Sequence, residues 1–165
     1  MNHNLIKHLA YNLWANERIG HLLMAQEDSI LYAKQKSSFA SIAKTIFHIW
    51  DAEVIWLTRM QGGALTDWPS KKFVGGKAEM LRGFINSSTE LLQFIKGKDA
   101  SFIDHKIVYK NLKGDTFDSS IEEILFHVVN HGTYHRGQII TLLRESGVTQ
   151  LVTSDMINWF RERGK

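Results

Sequence analysis

The chain has 165 residues, a formal charge of +3 and 44% hydrophobic residues, which fits one domain with ample material for a core. No apolar run reaches the roughly eighteen residues that suggest a membrane span, and no basic stripe interleaved with aromatics supports nucleic-acid binding. Cysteine is absent, so the chain has neither disulfides nor thiol chemistry of its own. The first residues, MNHNLIKHLAYNLWANE, carry no signal-peptide core or cleavage site. With the missing cysteine, this agrees with a cytoplasmic protein.

Only one proline, Pro69, interrupts the chain, so long helices are permitted. A first helix is expected from about Asn4 to Gln26, with Leu5, Leu9, Leu13 and Leu23 in its apolar stripe. A second should start near Ser38 or Ser41 and run to Gln61, stopped by Gly62 and Gly63. The loop GGALTDWPSKKFVGG follows. A third helix should span about Lys77 to Lys96 and end at Gly97. In FIDHKIVYKNLKGDTFDSS, β-branched and aromatic residues flank a KGD turn, which reads as two short extended segments able to form a hairpin. Ser119 and Ser120 with Glu122 and Glu123 offer a capping box for a fourth long helix. Its apolar residues run from Ile121 through Ile124, Leu125, Val128, Ile139, Leu142 and Leu143 to a stop at Gly147. After the extended VTQLVTS comes a short helix over about Ser154 to Arg163. The expected fold is all-α, an antiparallel four-helix bundle forming a single domain over 1–165, and such bundles place metal sites between facing helices.

The fourth helix contains HVVNHGTYHRGQI, with His127, His131 and His135 at successive steps of four. Residues four apart lie one turn apart on nearly the same face. On a helical wheel His131 and His135 fall inside the apolar face, on either side of the line through Ile124 and Leu142, and His127 falls at its edge. Two ionisable rings in a core stripe are costly unless something pairs with them. They therefore read as a pair of metal ligands, with His127 on the rim. His127 and His135 cannot share an ion, being about 12 Å apart along the helix.

A third ligand must come from elsewhere. His3, His8, His21 and His105 read as surface histidines. His48, in TIFHIWDAEVIW, sits mid-helix on the side of Ala52 and Ile55. It reads either as the third ligand or as a core histidine bonded to a carboxylate. Glu53 falls on the apolar side of the same helix near Ile49 and Trp56. It would either orient a ligating histidine from behind or pair with a buried arginine such as Arg18 or Arg136.

YNLWANERI in the first helix, HIWDAE in the second and VVNHGTYHRGQI in the fourth together resemble the DinB family, the DinB/YfiT-like metalloenzymes. The resemblance spans nearly the whole chain. It implies a four-helix bundle with a long crossover and one metal ion held by three histidines, here His48, His131 and His135. It also implies that homodimers are common. The family name refers to damage-inducible expression and does not itself indicate DNA binding. The wider superfamily includes transferases that use low-molecular-weight thiols such as bacillithiol and mycothiol.

Three neutral imidazoles would leave a divalent ion with its full charge and open positions. Such a site can activate water or bind a thiolate, and zinc and nickel both suit it. The leading reading is transfer of a low-molecular-weight thiol to an electrophilic small molecule. The alternatives are a metal-dependent hydrolase and a non-catalytic metal-binding stress-response protein. Trp14, Trp50 and Trp56 exceed what one bundle core accommodates, and Trp50 lies opposite Ala52 and Ile55 on the wheel. A homodimer is therefore expected.

Overall fold

The computed structural model describes residues 3–64, 67–111 and 113–163. Leu65 and Thr66 of the predicted loop, and the extreme ends of the predicted 1–165 domain, lie outside the described residues. Four long helices dominate: α1 (His3–Met24), α3 (Ile42–Met60), α5 (Lys77–Lys96) and α7 (Ile121–Glu145). Short helices α2 (Asp28–Tyr32), α4 (Pro69–Lys72) and α6 (Ala100–Asp104) punctuate the connections, and α8 (Met156–Arg163) ends the described chain. Strands β1 (Lys106–Lys110) and β2 (Thr116–Ser120) form an antiparallel hairpin with Tyr109 opposite Phe117. Gly114 takes a φ of 92° in its turn, a conformation that favours glycine.

The long helices start where their side chains satisfy otherwise unpaired backbone N–H groups. Ser41 Oγ accepts from the Lys44 N–H at the start of α3. Ser120 and Glu123 make the reciprocal capping box of α7, with bonds of 3.2 and 2.8 Å. The Glu79 carboxylate accepts from the Gly76 N–H ahead of α5. The boundaries expected from the sequence agree with these to within a few residues. Helices α2, α4 and α6 are four or five residues long and too short to show an apolar period, so their signals are confined to single residues such as Pro69 at the start of α4 and the Asp99 cap of α6.

In the bundle α1 packs against α5 and α7, and α3 packs against the same two helices. Contacts fix the directions. Asn16 reaches Ser88 while a side chain at Gly20 would meet Ile85, so α1 and α5 are antiparallel. His48 meets His131 while Trp56 meets His127, so α3 and α7 are antiparallel too. By contrast, Trp50 covers Gly83 and Glu53 bonds Ser87 and Ser88, so α3 and α5 run parallel. The segment from 61 to 76 must therefore return along the bundle. This is the long crossover, and α4 lies against α3 on the way.

The core is divided in two. One cluster contains Leu5, Leu9, Leu57, Leu91, Leu125 and Val128. The other contains Ile19, Leu23, Ile46, Ile49, Phe84, Ile139 and Leu143. Between them lies a buried polar layer of Asn12, Asn16, Glu53, Ser87, Ser88 and Arg136. The tryptophans offered as interface residues have homes within the chain. Trp50 stacks on Phe47, meets Phe73 edge-on and occupies the space where a Gly83 side chain would stand. Trp14 meets Tyr11, Arg18 and Glu162, and Trp56 meets Tyr109 and His127. The wheel argument for a dimer at Trp50 is thus corrected: the glycine on α5 lets its ring fold back onto the bundle. No helix among the described residues is long and apolar enough to cross a membrane.

Candidate metal centre

The α3/α7 groove brings together the three histidines named from the sequence. Nitrogen atoms of His48, His131 and His135 all lie within 4.8 Å of one another, so the group could hold a metal ion. The nearest pair, His131 Nε2 and His48 Nε2, is 2.8 Å apart. Two ligands about 2.0–2.1 Å from a tetrahedral zinc ion stand roughly 3.4 Å apart. The observed spacings bracket that value, so the residues fit the group with small side-chain adjustments. His48 and His131 are half-buried, and His135 is 6% exposed.

His135 Nδ1 lies 2.7 Å from Gln138 Oε1. Since the amide oxygen only accepts, the bond places the ring proton on Nδ1 and leaves Nε2 with its lone pair, the tautomer a ligand needs. Sequence reasoning missed Gln138, although the i, i+3 spacing in HRGQ offered a signal. It also missed Phe39, for which a loop position gives none. The Phe39 ring stacks on His48 at 4.0 Å and meets His135 edge-on at 5.4 Å. Ala40 next to it has a φ of 59°, which costs a non-glycine residue about 1–2 kcal/mol. This turn directly follows Phe39, whose ring caps two of the histidines.

His127 stands at the rim, as expected. It is exposed, 5.6 Å from His131 and edge-on to Trp56 at 5.7 Å. His3, His21 and His105 are exposed, and His8 is half-buried against Phe126. None of these four joins the cluster among the described residues.

Both readings of Glu53 are corrected. Its Oε1 accepts from Asn12 at 2.7 Å, Asn16 at 3.1 Å and Ser88 at 3.0 Å, and its Oε2 from Ser87 at 2.6 Å and Ser88 at 2.8 Å. It touches neither a ligating histidine nor Arg136 directly. The amide oxygens of Asn12 and Asn16 turn the other way and accept from Arg136 Nη1 at 2.8 and 2.7 Å. The two asparagines thus relay between a buried carboxylate and a buried guanidinium. Burial raises the Glu53 pKa, against the opposing effect of these hydrogen bonds and of Arg136.

Partial burial lowers the pKa of all four groove histidines, including His127, whose ring is partly covered at the rim. His48 falls to about 4, through burial and then His135, and His131 to about 3, through burial and then His135, His48 and His127. At neutral pH both rings are therefore neutral, as metal ligation requires. These folded-state values lie below the unfolded value of 6.5, so on acidification the unfolded chain binds protons first. The metal-free protein should lose stability as pH falls from 6.5 towards 4. Thermal melts of chelator-treated protein across that range check this; a midpoint unchanged between pH 7 and 5 would contradict it.

An all-helical bundle with a crossover, carrying three histidines that could hold a metal ion in one groove, defines the class. The chain belongs to the DinB family, whose family model matches residues 1–161. It is 29% identical over 150 residues to Protein DinB of Bacillus subtilis (strain 168), with 87% of this chain and 86% of that protein covered. Its fold is similar to the crystal structure of a DinB-like protein from Bacillus subtilis, with a TM-score of 0.63 and 13% identity. That match covers 90% of this chain and 97% of the other.

Proposed function

We propose that the protein is a cytoplasmic metal-dependent enzyme in which His48, His131 and His135 hold one divalent ion, zinc or nickel. In this reading it transfers a low-molecular-weight thiol to an electrophilic small molecule. The observation that carries the reading is a three-ligand cluster opening onto a cleft. Structural sites usually have four protein ligands. The fourth donor weighed from the sequence, Glu53, has both oxygens engaged by Asn12, Asn16, Ser87 and Ser88. A cavity of about 510 Å³ instead reaches His48 and His131, leaving room for a substrate. This favours catalysis over a structural role.

When bound, the metal would supply a soft Lewis acid that favours the thiolate form of an incoming thiol. Gln138 fixes the ligating tautomer of His135. Phe39 keeps water from one side of the His48 and His135 rings. With no cysteine in the chain, the nucleophilic sulfur has to arrive as a cosubstrate. Cobalt-substituted protein is expected to develop a sulfur-to-metal charge-transfer band on titration with a small thiol, and the band should vanish in His131→Ala. An unchanged cobalt spectrum at millimolar thiol would refute thiol transfer.

The active species in this reading is a homodimer. With Trp50 covered, its support moves to large apolar side chains that remain exposed: Tyr134 at 65% on α7, and Ile157 at 53% and Phe160 at 44% on α8. Large exposed apolar side chains of this kind can supply an interface. Light scattering at micromolar concentration should give twice the 19.0 kDa chain mass; a monomer there would reject the dimer.

A further inference from the structure

From His48 and His131 the cleft runs along α3 to an arginine packed against a pair of rings. The Arg59 guanidinium carbon lies 4.6 Å from the Trp56 ring centre and 4.7 Å from that of Tyr109. The cavity that reaches the histidines adjoins a second of about 740 Å³, and both are lined by Ile55, Arg59, Trp68, Tyr109 and Asn111. Arg59 is therefore where the two spaces meet.

The chemistry at this point is one-sided. Arg59 Nη2 donates to the Lys110 carbonyl at 2.7 Å. Among the described residues no carboxylate pairs with the guanidinium. Lys71 lines the inner cavity and Lys110 the outer one. The acid in the inner lining, Asp51, accepts from the Ser70 N–H at 2.9 Å. The two rings stand edge to face, 4.9 Å between centres, and pack together on one side of the guanidinium, which leaves its N–H edge for a ligand. That edge is a planar fork matched to the two oxygens of a carboxylate.

Length narrows the ligand further. Arg59 lies eleven residues after His48, or about 16 Å along the helix axis. Its side chain tilts back towards the helix start, which shortens the reach to roughly 10–15 Å. An extended chain spans about 3.3–3.6 Å per residue, so a molecule of about tripeptide length bridges the two ends.

We infer that Arg59 binds a carboxylate at the far end of the substrate, so that the cleft takes an elongated acidic small molecule whose other end reaches the three histidines. The near end of this inference rests on the proposed metal site. Arg59 is then a specificity-determining residue, remote from the reacting atoms.

The test uses metal-loaded protein and three probes: glutathione, its diethyl ester and S-methylglutathione, with binding followed by calorimetry and tryptophan fluorescence. Both acids should bind wild type roughly tenfold or more tighter than the diester, the usual scale for a charge-assisted hydrogen-bonded pair. Arg59→Met, which keeps an apolar chain against the rings, should abolish that preference and leave diester binding unchanged. Equal binding of acid and diester to wild type, equal loss of both in the variant, or no binding of either acid would each overturn the inference. The cobalt band separates this outcome from the fate of the thiol reading. A band with glutathione but no dependence on Arg59 sinks this inference alone. Arg59-dependent binding of S-methylglutathione without a band for glutathione sustains it and rejects thiol transfer.

Discussion

His135→Ala protein is expected to purify with roughly a tenth or less of the divalent metal bound by wild type. Removing one of three neutral imidazoles leaves two, which cannot close a stable site. His48→Ala and His131→Ala should behave alike, because the three rings share one point in the α3/α7 groove. His127→Ala should keep the metal, since its ring sits at the rim. Gln138→Ala should fall between, with affinity weakened about 10–100-fold as for other residues that orient a ligand. Elemental analysis of purified variants, with helicity checked by circular dichroism, decides the matter. Full metal occupancy in His135→Ala would remove the assignment.

Arg136→Met should destabilise the fold more than any of the histidine substitutions. Arg136 is fully buried and Glu53 is 2% exposed. Taking away the guanidinium leaves a buried carboxylate without its compensating charge, and the Asn12 and Asn16 amide oxygens without a donor. The two charges are linked through the asparagines and not in direct contact, and leaving one buried charge uncompensated costs about 3–5 kcal/mol. In a domain of this size that corresponds to a melting point lower by roughly 10 °C. The double variant Arg136→Met with Glu53→Gln should lose less than the two single changes added together, because the charges are coupled through the asparagines. Urea unfolding of the four proteins measures this. A cost under about 1 kcal/mol for Arg136→Met, in the range of ordinary surface changes, would mean that the relay contributes little.

The same layer explains why α1 and α7 each place polar side chains in the middle of a core stripe. Asn12 and Asn16 are one turn apart on α1, Ser87 and Ser88 are adjacent on α5, and all four are buried. They meet only because four helices converge at one height, with apolar clusters above and below. Each buried polar atom needs a partner at low dielectric, which ties the relative height of α1, α3, α5 and α7. The histidines of α3 and α7 belong to the helices locked in this way.

Local signals carried much of this protein. Apolar periodicity and capping residues are properties of neighbouring positions, so the sequence alone located the four long helices, the hairpin and the terminal helix. The four-residue step likewise put His131 and His135 on one face, and the buried surroundings of His48 singled it out from the remaining histidines. The resemblance of three motifs supplied the family and the crossover. Other features depend on residues far apart in the chain. Trp50 could be placed only once Gly83 stood beside it, because a missing side chain on one helix makes room for a ring on another. Glu53 could be assigned only once Asn12, Ser87 and Ser88 had converged on it, 34 to 41 positions away. Phe39 gained its place over the histidines from a backbone turn at Ala40. Periodicity says which face of a helix is buried; what that face meets is decided by the packing of the whole bundle, where shape and hydrogen-bond partners come from other segments.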